Sequence, residues 1–360
     1  MTPRRLPTPD IARGAMLLLI ALANATSWAP RTPTNTTPTI GPNELWVLIR
    51  GLFIDARAYP LFSILVGFGI ATIASRATTT PTILYRRAAA LTLIGLLHSF
   101  LFSGDVLATY GLTIALLTPL ITTKHPNTTA LTITAFGFTA LALAITTFIG
   151  FNPTDQTPES NGPYLFEWLG KTISSIPTTA VIPCIIIGIF IQRTTLLSHP
   201  HRHRRLLATT AATGLLIGAL TAIPLTLTYI GITISPLIPW TIALDTLGSY
   251  FGGLGWLALI TLTLSYTNPT HHPTTSGYSP RAILTAIGKR SMTCYLLQSA
   301  LFALLLPANS GPVTEIHAAA IAVIIWLITA LTATIFDRAG IPGPAEWVTR
   351  RLIYAGVSRD

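Results

Sequence analysis

The chain has 360 residues, of which 50% are hydrophobic and only 9% charged, with a mean hydropathy of +0.60. A soluble domain carries roughly a quarter of its residues as charges, so a water-soluble enzyme is excluded. The formal net charge of +10 does not indicate a nucleic-acid binder, because Lys and Arg flank apolar runs instead of clustering on one solvated face.

A bilayer crossing takes about 20 mostly apolar residues. Runs of that kind lie at Ile11–Trp28, Leu45–Ser75, Ile83–Ser103, Val106–Thr122 and Thr128–Phe151, the second long enough to include a kink at Pro60. Five more follow at Thr172–Gln192, Leu206–Ile230, Leu237–Tyr266, Ile283–Leu306 and Val313–Phe336. The expected fold is all-α, a polytopic membrane protein of about ten transmembrane helices. Residues 1–336 form a single transmembrane domain. Residues 337–360 form a cytoplasmic tail, in which 340–354 can fold as a short amphipathic interfacial helix, with Trp347 as anchor and Arg350 and Arg351 facing anionic lipid.

Orientation follows from Lys and Arg alone, since cytoplasmic loops retain positive charge. With the N-terminus inside, 18 of the 22 lie on the inner side, and only Arg31, Arg50, Arg57 and Lys171 lie outside. Both termini are therefore expected in the cytoplasm. Arg4 and Arg5 precede an apolar run ending in Ala23-Asn24-Ala25, which is similar to a signal-peptide cleavage site. Asp10 and Arg13 fit such a segment badly, so a retained first helix is the expectation. The stretches 30–42 and 152–171 read as outer loops without a fold of their own, and no internal repeat is evident, which weakens a transporter built from repeated halves.

Ionisable groups inside spans are costly unless they face protein or water. Asp10 and Arg13 stand at the inner end of the first helix and Asn24 near its outer end, eleven positions from Arg13: about 16 Å of rise and about 20° of net rotation, hence one face. Arg50, Asp55 and Arg57 sit in the outer half of the second span, with Arg50 and Arg57 on a shared face; Asp55 with either is also readable as a structural ion pair. His98 lies near the outer end of the third. Asp105 opens the fourth after Gly104, where a helix cap is the plainer reading. Asp245 lies in the outer third of the eighth, and Tyr295 and Gln298 at mid-depth in the ninth. A convergent, outward-open cavity would hydrate these groups. Arg13, Arg86, Arg87, Lys289, Arg290 and Arg338 fall at inner helix ends, where they suit either lipid headgroups or a phosphate-bearing ligand. The run 199–205, rich in His and Arg, and His271-His272 read as solvated inner loop, and no metal site is expected. Cys184 and Cys294 read as small buried hydrophobes.

Several of these residues carry a resemblance. Asp10-Ile-Ala-Arg13-Gly14 through Asn24, Phe62-Ser63 through Gly67-Phe-Gly69, Gly95-Leu-Leu-His98 and Gly104-Asp105 through Tyr110-Gly111-Leu112 resemble the YeiB-like family of bacterial membrane proteins. So do Gly288-Lys-Arg-Ser-Met-Thr-Cys-Tyr295-Leu-Leu-Gln298-Ser299 and Gly343-Pro344-Ala-Glu346-Trp347. That family looks like a branch of the transmembrane acyltransferase superfamily, beside heparan-α-glucosaminide N-acetyltransferase and the acyltransferase-3 proteins. The resemblance implies a multi-pass protein of the bacterial inner (plasma) membrane that passes an acyl group from cytoplasmic acyl-CoA, with acetyl-CoA the expected donor, to an extracytoplasmic glycan or lipid. It implies no metal and no nucleic acid; membrane lipids are the surrounding partners, and a homo-oligomer is compatible with it.

Arg13 matches the arginine opening helix one in the acyltransferase-3 pattern, and Asn24 stands where those proteins have a catalytic histidine. Lys289 and Cys294 replace the usual arginine and asparagine. The implied roles are His98 as general base, Asp105 orienting it, and Asn24 as an oxyanion donor worth about 3 kcal/mol. Asp10, Arg13, Arg86, Arg87, Lys289 and Arg290 would form the CoA site, and Arg50, Asp55, Arg57, Asp245, Tyr295 and Gln298 the acceptor site. The alternative expectation is a transporter or lipid flippase using the same buried polar groups.

Overall fold

The computed structural model describes residues 6–28, 41–76, 80–122, 128–148, 164–179, 181–232, 238–266, 279–307 and 313–355. Fourteen α-helices account for most of them: α1 (Pro7–Asn24), α2 (Pro42–Phe53), α3 (Ala58–Ala74), α4 (Pro81–Ser99), α5 (Leu107–Ile121), α6 (Thr128–Phe148) and α7 (Tyr164–Thr178), then α8 (Val181–Gln192), α9 (Arg204–Tyr229), α10 (Ile238–Tyr266), α11 (Pro280–Lys289), α12 (Ser291–Leu305), α13 (Glu315–Arg338) and α14 (Pro344–Tyr354). Five of these helices, α1, α2, α4, α11 and α14, begin on proline. Proline suits a first turn because its missing N–H would have had no partner there. Ser279 and Thr314 cap α11 and α13 through their hydroxyls.

Six spans are long and apolar enough to cross a membrane, or seven if the bent pair α7–α8 is one of them, among the described residues. Length and composition thus show six or seven of the about ten expected crossings. The shortfall has three sources. Helix α4 carries Arg86, Arg87 and His98 within nineteen residues, while α5 and α12 have only fifteen each. Three expected spans are also divided, although the second, Pro42–Ala74, still counts as one of the six. The second breaks between α2 and α3 at Ile54–Arg57, not at Pro60, and Ala56 there holds φ +55°, a left-handed conformation that costs an L-residue roughly 1–2 kcal/mol. The sixth is two helices bent by 58°, starting at Tyr164, so part of the expected outer loop is helical. The ninth parts at Arg290, between α11 and α12. Lys124, Arg31, Arg359, His271-His272, and most of the outer loops 30–42 and 152–171 lie outside the described residues.

Helix pairs close through small residues. A Cβ on Gly14 would meet the Leu284 backbone and one on Gly288 the Asp10 backbone, so α1 and α11 approach reciprocally. Gly67 against Ile185 and Gly188 against Ile64 do the same for α3 and α8. The core falls into two main apolar clusters, one where α1 meets α3 and α11–α13, the other among α3, α4, α5 and α8. The outer surface displays Ile133, Phe136, Leu304 and Leu331, side chains suited to lipid.

Candidate functional site

Two cavities lie on either side of one wall. The first, about 980 Å³, is lined by the charged side chains of Asp10, Arg13, Arg76, Arg87, Lys289, Arg290 and Arg350 and by the largely apolar ones of Leu17, Phe62, Val66, Leu91 and Tyr295. The second, about 690 Å³, is lined by Asn24, Arg50, Asp55, Tyr59, Asp105, Lys171, Asp245 and Glu315. Val106 and Tyr110 line both. Helix α1 runs from one to the other, with Arg13 in the basic cavity and Asn24 in the mixed-charge one.

His98 is buried in this wall, 5% exposed. Its Nδ1 lies 2.7 Å from Asp105 Oδ1 and its Nε2 lies 2.8 Å from Ser299 Oγ. A carboxylate only accepts, so in the neutral ring Nδ1 carries the proton and Nε2 accepts from the serine hydroxyl. Asp105 also accepts the Ala108 N–H at 3.1 Å through Oδ2. The two oxygens of one carboxylate thus hold the imidazole and a first-turn N–H of α5. The imidazole stands against Tyr295 (5.0 Å between centroids) and Phe102 (6.0 Å); Phe102 stacks on Trp28, which stacks on Phe302. His98 itself lines neither cavity. It touches the basic one through Tyr295 and the mixed-charge one through Asp105.

The expected acceptor residues divide. Arg50 binds Asp55 at 2.8 Å and Glu315 at 2.5 Å, tying α2 to α13. Arg57 is 1% exposed, pairs with Asp245 at 2.7 Å, and donates to the Asp55 carbonyl and to the Gly218 carbonyl. The expected shared face of Arg50 and Arg57 is corrected by the break at Ile54–Arg57, which sends the two side chains to different helices. Asp55 and Asp245 remain on the cavity wall. Tyr295 is corrected to the basic cavity. Gln298 lines neither cavity, because its Nε2 donates to the Leu17 carbonyl at 3.3 Å and fastens α12 to α1.

The expected CoA residues also divide. Arg13 pairs with Asp10 at 3.1 Å and donates to the Leu65 carbonyl. Arg87 lines the cavity with its Nε buried and without a hydrogen-bond partner among the described residues. Arg290 is committed to structure: it pairs with Asp337 at 2.8 Å and donates twice to the Ile341 carbonyl, holding the turn after α13. Lys289 reaches the same Asp337 at 3.2 Å. Arg86 is corrected out of the site, since it donates to the carbonyls of Ile353 and Ala355 at the end of α14. Arg350, expected to face lipid, lines the cavity instead, whereas Arg351 stacks over Trp347 at 4.1 Å.

Helix α14 is docked, not merely laid on a surface. The Glu346 carboxylate accepts from the Met292 and Thr293 N–H groups and from Thr293 Oγ1, capping α12, and Thr293 Oγ1 accepts the Ala345 N–H in return. Sequence reasoning missed Ser299, Glu315, Arg76 and the wall residues Val106 and Tyr110 as site components. Ser299 alone had a readable signal, four positions after Tyr295 and so on its face of α12.

Residues 191–356 match the model of a family described as a protein of unknown function (DUF418). It is a family of uncharacterised, YeiB-like membrane proteins. The matched segment runs from the end of α8 through α14 and includes Arg290, Tyr295, Ser299 and Glu346; Arg13, Asn24, His98 and Asp105 lie before it. No curated protein matches the chain.

Proposed function

We propose that the protein is a membrane acyltransferase of about ten crossings with both termini in the cytoplasm of a bacterial inner membrane, related to the transmembrane acyltransferase superfamily. The basic cavity takes acyl-CoA from the cytoplasmic side, its phosphates at Arg13, Arg87 and Lys289 and its acyl arm along the apolar lining toward Tyr295 and Val106. The mixed-charge cavity admits a hydroxyl- or amine-bearing glycan or lipid from outside.

One observation carries this reading: a buried His–Asp pair in the wall shared by a cation-lined cavity and a polar one. Within it Asp105 fixes the tautomer of His98, so that Nε2, which accepts from the Ser299 hydroxyl, carries no proton of its own and can take one from the attacking group. The thioester carbonyl becomes an oxyanion as the nucleophile adds, and Asn24, whose amide can donate, would stabilise it. Collapse expels the CoA thiolate, which takes the proton held on His98. Val106 and Tyr110, which line both cavities, must move aside for donor and acceptor to reach His98.

Purified protein incubated with labelled acetyl-CoA and a bacterial envelope extract tests the reading. Release of CoA with transfer of label is expected, and His98→Ala should lower it by about 100-fold or more while the protein stays monodisperse. Equal release from both proteins would remove His98 from the chemistry. No release, together with no binding of CoA, would overturn the acyltransferase and favour transport through the same cavities.

A further inference from the structure

We infer that Ser299 is a covalent acyl carrier, so that transfer runs in two half-reactions through an acyl-serine. This deepens the proposed acyl transfer and rests on it. Asp105, His98 and Ser299 form one continuous relay: Oδ1 to Nδ1 at 2.7 Å, then Nε2 to Oγ at 2.8 Å. Its order of atoms is that by which a histidine activates a hydroxyl nucleophile. His98 stands in the last turn of α4, Asp105 between α4 and α5, and Ser299 on α12, 201 positions from His98.

The surroundings favour a nucleophile over a merely satisfied hydroxyl. The Ser299 hydroxyl has a second acceptor within reach, the Tyr295 carbonyl of the preceding turn, yet that contact is 3.5 Å and the histidine is 0.7 Å nearer. A buried helical serine ordinarily settles on such a carbonyl. Ser299 instead faces an imidazole nitrogen whose proton is held on the opposite side by a carboxylate. One turn earlier on the same helix, Tyr295 lines the basic cavity, so the donor's acyl arm would arrive beside the serine.

The chemistry balances without any further reactant. In the first half, Ser299 Oγ attacks the thioester carbonyl as its proton passes to His98 Nε2. The C–S bond breaks, and the departing thiolate takes that proton as free CoA. In the second half, an acceptor hydroxyl or amine gives its proton to Nε2 and attacks the serine ester. The C–O bond to Oγ breaks, and the proton returns to Ser299.

The test is a rapid-quench measurement with the full-length protein and labelled acetyl-CoA, without acceptor. Wild type should release one CoA per active protein in a burst and carry one acetyl group on the peptide holding Ser299. Ser299→Ala should lose burst and label, and Ser299→Cys should regain a burst with the acyl group on sulfur. If Ser299→Ala misfolds, peptide mapping of quenched wild type decides alone. A burst whose label lies on another residue, or undiminished transfer by Ser299→Ala, overturns the carrier and leaves acyl transfer standing. Absence of CoA release from wild type under every condition, acceptor included, overturns both.

Discussion

At the scale of single residues, chemical identity does not decide role; partners do. Arg87 and Arg290 are both arginines on the same cavity, yet Arg290 is consumed by Asp337 and the Ile341 carbonyl, whereas the Arg87 Nε has no partner among the described residues. Their alanine variants should therefore fail differently. Arg290→Ala removes a buried guanidinium that joins Asp337 and the Ile341 carbonyl and should cost about 1–3 kcal/mol of stability, seen as a lower melting temperature in detergent. Arg87→Ala should leave melting nearly unchanged and raise KM for acyl-CoA roughly tenfold or more, since a hydrogen bond to a charged group is worth about 1.5–3 kcal/mol. A reversed pattern would show that Arg87 is the structural one. His98 and Asp105 could be read together from sequence because seven positions and one Gly104 turn separate them. The helical spacing of Ser299 from Tyr295 is readable, but its pairing with His98 is not, nor is that of Glu315 with Arg50, because these partners lie hundreds of positions apart and only the packed helices bring them near.

At the scale of helices, apolar length is a poor guide to where a helix stops. The run from Leu45 to Ser75 is apolar enough to pass as one span, but Arg50 pairs with Asp55 and Glu315 and Arg57 with Asp245, and the helix is interrupted among these charges, where Ala56 takes φ +55°. The break at Arg290 is likewise tied by polar contacts: the guanidinium bonds Asp337 and the Ile341 carbonyl, and α12 restarts with its first N–H groups capped by Glu346. Packing, by contrast, rests on glycines that a hydropathy scan does not weigh. A Cβ at Gly188 would press on the Ile64 backbone, while one at Gly137 would meet nothing within 4 Å. Gly188→Ala should destabilise by about 1–3 kcal/mol, and Gly137→Ala should be neutral or stabilising by up to about 1 kcal/mol. Thermal unfolding of the purified variants checks the order, and equal midpoints would contradict the close approach of α3 and α8.

At the scale of the whole molecule, two chambers of unlike character share a wall. The basic one gathers Arg13, Arg76, Arg87, Lys289, Arg290 and Arg350; the other mixes Arg50 and Lys171 with Asp55, Asp105, Asp245 and Glu315. Composition and the inner bias of Lys and Arg already implied a membrane protein with two unlike faces, because each face meets its own solvent. Neither could supply the wall, which depends on where α4, α5 and α12 meet. The central claim is directional: acyl groups enter from the basic side and leave on the other. Sealed vesicles of both orientations, given labelled acetyl-CoA outside and envelope acceptor on both sides, measure it directly. Inside-out vesicles should release CoA and accumulate acylated acceptor in the lumen, while right-side-out vesicles stay inert until permeabilised. Equal acylation in both orientations, or product only on the side of the donor, would contradict the account.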